Sequence, residues 1–377
     1  MKKRIFSTLF ALILASSSVL FGGCGATVNT DVNVESVYTR EFAGKSLNVY
    51  NWAEYISVGE DDTLNVNAAF EKLTGITVNY NTYESNEVLY STLTGGTVQC
   101  EVIIPSDYMI ARLADEGMLQ ELDFGQIPNY KYIDPVYQNQ YYDPDNKYTV
   151  PYAVGMVGII YNTAMVKDPA HSWGIMWDSA YKGQVLNFNN SRDALMTAQC
   201  YAGIDLNTRD LSEWEQAAEL LKKQKKDVDP GYVMDEVFKM MESGEKAIAP
   251  YYAGDFLTMQ EENPDLSFFY PEEGTNIFVD AMCVPATVEK DSDEYKMAMM
   301  YINFMNEVDV ALANAEYHYY GSPHTGVVAD DRYSLKGDPI LYPEDKTYVA
   351  EKCTYYENMP VKILQKYEKL WEDVKAS

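Results

Sequence analysis

Three short runs of strand character, each followed by a helical stretch, constrain this chain more than any other feature. Leu47-Asn48-Val49-Tyr50 alternates apolar and polar, and Ile76-Thr77-Val78-Asn79-Tyr80 alternates again. Glu101-Val102-Ile103-Ile104-Pro105 is a compact apolar run of the kind buried in parallel sheets. Residues 64–73 carry apolar positions at helical spacing and stop at Thr74-Gly75. Residues 87–93 suit a short helix ended by Gly95-Gly96, and 110–117 a third ended by Gly117. This β-α-β-α-β rhythm predicts an α/β fold with a mainly parallel sheet. A chain of 377 residues, 47% of them hydrophobic, is too long for one simple core, so two lobes are expected.

The first strand ends in a crowd of special residues, Asn51-Trp52-Ala53-Glu54-Tyr55. In open α/β sheets ligands sit beyond the carboxyl ends of strands. An indole, a phenol and a carboxylate there offer an organic cation both π surface and negative charge. The same aromatics could simply cover the core. Ser106-Asp107-Tyr108 repeats the polar-aromatic pattern after the third strand, and Tyr251-Tyr252-Ala253-Gly254-Asp255 repeats it after the strand-like 247–249.

The N-terminus carries an address rather than a fold. Lys2-Lys3-Arg4 precedes an apolar stretch over 5–14 and small residues up to Cys24, the pattern of a secretory signal over 1–23. Cys24 directly after Gly22-Gly23 resembles a lipobox, with Phe21 where Leu is usual. Lipidation of Cys24 would tether the chain to the outside of the cell membrane. The polar stretch 26–41 then reads as a flexible leash, within a lipid-anchored linker over 24–44. No later stretch reaches the ~20 apolar residues needed to span a bilayer.

Removal of Lys2, Lys3 and Arg4 takes the formal net charge from -28 to -31. Such a chain is repelled by nucleic acid and by anionic headgroups, and it attracts cationic solutes. Cys100, Cys200, Cys283 and Cys353 form no C-x-x-C pair. They allow three disulfide pairings and are read as buried free thiols.

Farther along, 128–151 is rich in tyrosine and proline without periodicity, a plausible lobe boundary. A second α/β lobe is expected from there to about Phe278, with strand-like 185–188 and helices from Arg192, over 211–226 and over 234–241. Ile277-Phe278-Val279-Asp280-Ala281-Met282 holds one carboxylate inside an apolar run. Such an Asp either accepts backbone N–H groups at a crossover or awaits a cation, because an unpaired buried carboxylate needs compensation. Residues 295–315 predict one long helix, and 361–374 an amphipathic helix docked outside a lobe.

Taken in order, several runs resemble the spermidine/putrescine-binding proteins that feed polyamine ABC transporters. They are Tyr-Asn-Trp-Ala-Glu-Tyr at 50–55, Thr-Gly-Ile-Thr-Val at 74–78, Thr-Tyr-Glu-Ser-Asn-Glu at 82–87 and Ile-Pro-Ser-Asp-Tyr at 104–108. Tyr-Ala-Gly-Asp at 252–255 and Phe-Val-Asp at 278–280 complete the set. The resemblance covers about Leu47 to Tyr320. It implies a periplasmic-binding-protein fold of two α/β lobes, a hinge and an interlobe cleft. Lobe 1 would take 45–151 and 281–326, lobe 2 would take 152–280 and 327–377, and the chain would cross near Pro151, Asp280 and Gly326. Carried over by position, the ligand residues are Trp52, Glu54, Tyr55, Ser106, Tyr108, Asp193, Tyr252, Asp255, Phe278, Asp280 and Tyr320. Tyr252 and Phe278 stand where the family usually has Trp, and Asn190 where spermidine binders commonly have Asp. The implied partners are a polyamine and a membrane permease, with a monomeric receptor, no cofactor, no metal and no catalysis.

Two other classes are weighed against this. Among 32 tyrosines, the pairs Tyr251-Tyr252 and Tyr319-Tyr320 could suit ferric ion, although no His-carboxylate set accompanies them at recognisable spacing. Paired carboxylates could serve a secreted hydrolase. Against that, His171, His318 and His324 are the only histidines, and no G-x-S-x-G, H-E-x-x-H or Walker loop is present.

Overall fold

A computed structural model describes residues 28–377 apart from Thr97. The signal segment 1–23 and Cys24 lie outside the described residues.

Lobe 1 begins with the expected alternation. Strand β1 (Ser46–Asn51) leads to helix α1 (Val66–Thr74), β2 (Thr77–Thr82), α2 (Asn86–Gly95), β3 (Val102–Ile103) and α3 (Asp107–Asp115). The sheet order is β2-β1-β3, and both pairings are parallel. Local chemistry sets the helix ends. Asn65 accepts from the Ala68 N–H to start α1, and Gly75 at φ 74° closes it. Ser85 starts α2 by accepting from the Val88 N–H. Leu47, Val49, Phe70, Ile76 and Val102 are wholly buried between this sheet and its helices.

The long strand β4 (Val150–Asn162) then leaves lobe 1. Lobe 2 continues with β5 (Leu186–Phe188), α4 (Ser191–Ala202), α5 (Leu211–Val228), β6 (Gly231–Val233), α6 (Glu236–Glu242), β7 (Ile248–Tyr252), α7 (Ala253–Glu262) and β8 (Leu266–Phe269). The return strand β9 (Thr275–Met282) pairs antiparallel with β4, from Val150↔Met282 to Met156↔Ile277. These two strands form the crossing. Val150, Ala153 and Met282 belong to the lobe 1 core, while Val157, Ile159 and Ile160 belong to that of lobe 2.

After β9 come α8 (Asp293–Met305), α9 (Val308–His318), α10 (Thr325–Ala329), α11 (Lys346–Lys352), β10 (Cys353–Thr354) and α12 (Val361–Ala376). Gly326 lies in α10, beside α9 of lobe 1, and the chain passes to lobe 2 over 330–342, where Leu335, Ile340 and Leu341 pack on the lobe 2 core. Helix α12 docks on α4 and α5, with Tyr367 stacked on Trp214 at 5.0 Å.

Two expectations are corrected. The single helix over 295–315 is two helices, broken at Asn306 and Glu307. Glu307 is buried, and its carboxylate accepts from the Glu35 and Ser36 N–H groups and from the Tyr38 hydroxyl at 2.7, 3.0 and 2.7 Å. That tertiary demand interrupts an otherwise continuous apolar stripe. The same contacts remove most of the leash: from Val28 onward the segment lies against lobe 1, with the Tyr38 ring edge-on to Phe304 at 5.6 Å. Cys100, Cys200 and Cys283 are buried free thiols, whereas Cys353 is only half-buried.

Candidate functional site

A cavity of about 420 Å³ opens between the lobes, beyond the carboxyl ends of β1, β2 and β3 on one side and of β5 and β7 on the other. All eleven residues singled out from the sequence line it. Glu87, Asp193 and Asp255 sit in the first turns of α2, α4 and α7, where helix N-termini favour negative charge. The strand-helix order of the sequence thus delivers acids to one cleft.

On lobe 1, the Asn51 side chain accepts from the Trp52 N–H as β1 ends. The indole N–H donates to the Ile104 carbonyl at 3.0 Å, and its ring lies 4.6 Å from Tyr83, which donates to the same carbonyl. Glu54 takes a left-handed backbone at φ 50° and accepts from Tyr317 at 2.7 Å. Tyr55 is buried and donates to Asp280 Oδ2 at 2.6 Å. Tyr108 donates to Glu87 Oε1 at 3.0 Å and accepts from Asn86. Burial holds the Glu87 carboxyl above its usual range despite that bond, and the carboxylates of Glu368 and Asp193 add to the rise.

On lobe 2, Asn190 caps α4. Its Oδ1 accepts from the Asp193 N–H and its Nδ2 donates to Asp193 Oδ2, both at 2.8 Å. Asp193 also accepts from Tyr252 at 2.7 Å and from Tyr356 at 2.9 Å. Asn190 therefore aims Asp193. The buried Arg192 guanidinium lies 4.2 Å from the Tyr356 ring centre, a cation–π contact behind the wall. Asp255 is pushed up to about 8 by burial, with the Tyr320 hydroxyl opposing and Asp235 and Glu54 adding.

Asp280 stands on the crossing strand β9, only 3% exposed, with Ser106 across a β-bridge from it. Burial raises its carboxyl to about 6, against the Ser106 and Tyr55 hydroxyls. Among the described residues its Oδ1 has no hydrogen-bond partner of ordinary geometry, although the Ser106 hydroxyl lies close enough to act on the carboxyl. The aromatic wall is continuous: Tyr252 meets Phe278 at 5.6 Å, Phe278 meets Tyr320 at 6.1 Å, and Tyr320 meets Tyr55 at 5.3 Å, all edge-on.

Residues missed by sequence reasoning also line the cavity, among them Glu60, Glu84, Glu87, Asp235, Tyr83 and Tyr356. Glu84 and Glu87 fall inside the 82–87 run already noted, so their place after β2 was the available signal. Asp235 and Tyr356 had none. Among the described residues the lining holds eight carboxylates (Glu54, Glu60, Glu84, Glu87, Asp193, Asp235, Asp255 and Asp280) and neither lysine nor arginine. Among the described residues, none of the eight is ion-paired, although surface ion pairs are plentiful elsewhere, such as Lys45 with Asp293. Such a cleft is built to receive positive charge on a flat apolar body.

Residues 65–341 match the family of bacterial extracellular solute-binding proteins. The spermidine/putrescine-binding periplasmic protein 1 of Haemophilus influenzae is 28% identical, over 97% of this chain and 98% of that protein. The spermidine/putrescine-binding periplasmic protein of Escherichia coli K12 is 30% identical, over 88% and 92%. The spermidine/putrescine ABC transporter substrate-binding protein PotD of Streptococcus pneumoniae superposes with a TM-score of 0.72 at 31% identity, covering 88% of this chain and 99% of that one. The two-lobed α/β architecture and the match over most of the chain place this protein in the bacterial extracellular solute-binding family, in the group that contains the spermidine/putrescine-binding periplasmic proteins.

Proposed function

We propose that this protein is an extracytoplasmic polyamine receptor that delivers its ligand to the permease of an ABC transporter, tethered to the membrane by a lipid on Cys24. The observation that carries the reading is the cleft's charge: among the described residues it holds eight carboxylates, no lysine or arginine, and a wall of rings between them. A polyamine presents ammonium groups separated by methylenes, so carboxylates take its charges while Trp52, Tyr55, Tyr108, Tyr252, Phe278 and Tyr320 cover its chain. Each charge-assisted hydrogen bond contributes about 1.5–3 kcal/mol, so two or three, together with burial of the methylenes against the rings, bring affinity toward the micromolar range. Asp280, with one buried oxygen unpartnered, is the central acceptor.

The geometry adds nothing to the ferric-ion reading. Tyr252 spends its hydroxyl on Asp193 and Tyr319 on Glu261, and no group of three His, Cys, Asp or Glu among the described residues is placed to hold a metal. Burial lowers His318 to about 3 and leaves it neutral against Tyr55, and a carboxylate-based hydrolase is tested by turnover of the bound amine. We expect a bound polyamine to be recovered unchanged. Isothermal titration calorimetry with putrescine, cadaverine, spermidine and spermine tests the reading. Micromolar or tighter binding of at least one supports it, and no heat with any of the four overturns it.

A further inference from the structure

Asn207 stands outside the cleft, half-buried in the loop between α4 and α5, and spends its whole side chain on a segment that reaches into it. Its Oδ1 accepts from Arg192 Nη2 at 3.0 Å and from the Glu357 N–H at 2.8 Å. Its Nδ2 donates to the Tyr355 carbonyl at 2.8 Å. The two backbone contacts fall on the residues immediately before and after Tyr356. Arg192, fixed by the third contact, lies 4.2 Å from the centre of the Tyr356 ring. One amide thus sets both the backbone and the ring of Tyr356.

The Tyr356 hydroxyl donates to Asp193 Oδ1 at 2.9 Å, from a ring only 3% exposed. The other oxygen, Oδ2, already accepts from Tyr252 at 2.7 Å and from the Asn190 amide at 2.8 Å, which occupy its two lone pairs. Oδ1 therefore keeps the remaining acceptor position of this carboxylate, and Tyr356 sets where that position points. From lobe 1, the Tyr141 hydroxyl donates to the Tyr356 carbonyl, and the Tyr108 ring meets the Tyr356 ring edge-on at 5.8 Å. A hydrogen bond weakens steeply as it departs from linearity, so an ammonium group gains most from a carboxylate already aimed. We infer that Asn207 is a positioning residue for ligand binding: by clamping the chain on each side of Tyr356, and Arg192 against its ring, it aims Asp193 Oδ1 at an incoming ammonium group. The inference rests on the polyamine reading of the cleft.

Asn207 caps no helix, since Asp210 serves α5, and its bond to Asp205 is made by its own backbone N–H. Asn207→Ala, Tyr356→Phe and the double variant should be titrated calorimetrically, beside the unchanged chain, with the same four amines. The expected result is that Asn207→Ala weakens binding at least threefold, and adds less than twofold once Tyr356 has lost its hydroxyl. Such coupling follows from a path through Tyr356, whereas a general loosening of the lobe would add its full loss in either background. Should Asn207→Ala fail to fold, Asn207→Ser is titrated under the same criteria. An unchanged affinity in the single variant, or a further loss of twofold or more in the double variant, overturns the assignment while leaving the polyamine reading standing. An unchanged chain that binds none of the four amines overturns the polyamine reading, and this inference with it.

Discussion

The Tyr55 hydroxyl reaches from lobe 1 to Asp280 Oδ2 on the crossing strand, 2.6 Å away, and leaves the buried Oδ1 unanswered. Lobe 1, the hinge strands and the ligand's expected charge therefore meet at one carboxylate. Asp280→Asn should weaken polyamine binding at least tenfold, about 1.4 kcal/mol, by calorimetry. The same change should leave the unliganded protein as stable or more stable in scanning calorimetry, because it removes a desolvated charge with an incomplete set of partners. An unchanged dissociation constant would take Asp280 out of the site.

The raised carboxyls give stability and affinity opposite pH dependences. Asp255 is lifted to about 8 and Asp280 to about 6, from an ordinary value of 3.8. In that window the folded chain holds more protons than the unfolded chain, so stability falls as pH rises. The unliganded protein should melt at a higher temperature at about pH 5.5 than at about pH 8. Polyamine affinity should run the other way, because a protonated carboxyl no longer attracts an ammonium. A melting temperature that climbs across the same range would contradict this assignment.

Phe278 holds its place in the cavity wall because Gly155 lies opposite it in the β4–β9 register. A Cβ at Gly155 would sit 2.4 Å from Phe278 Cζ. Gly155→Ala should cost about 1–3 kcal/mol of stability by overpacking and should also weaken ligand binding as the ring is displaced. Gly158→Ala is the matched control, since its Cβ would sit 2.2 Å from Phe268 Cζ, and Phe268 does not line the cavity. It should lower stability in urea unfolding with no change in affinity. Equal affinity for the Gly155→Ala protein would show that the wall tolerates the shift.

The buried Glu307 carboxylate accepts three of the hydrogen bonds that hold the N-terminal segment. Glu307→Ala removes the acceptor shared by the Glu35 N–H, the Ser36 N–H and the Tyr38 hydroxyl, and should cost about 1.5–3 kcal/mol. Trypsin cleavage after Arg40 should then proceed faster than in the unchanged protein. Equal cleavage rates would mean that the segment is anchored by its other contacts.

The strands and helices of lobe 1 were readable because their signals are local: the alternation of Leu47 to Tyr50, the stop at Gly75, the apolar Val102-Ile103-Ile104. Ten of the eleven marked positions follow or end a strand or lie on the crossing strand β9, and Tyr320 follows α9; packing of the two lobes brings them to one cavity. Asp235 and Tyr356 were invisible, since each reaches the cleft through packing of distant segments: Asp235 from the turn before α6, Tyr356 between Asp193 and Arg192. The break in the 295–315 helix escaped for the same reason, being imposed on Glu307 by residues some 270 positions away. Periodicity encodes which face of an element seeks the core. Which carboxylates end up unpaired and facing one another across a cleft is decided only when the two lobes are assembled, because that depends on distance in space and on water excluded by the whole fold.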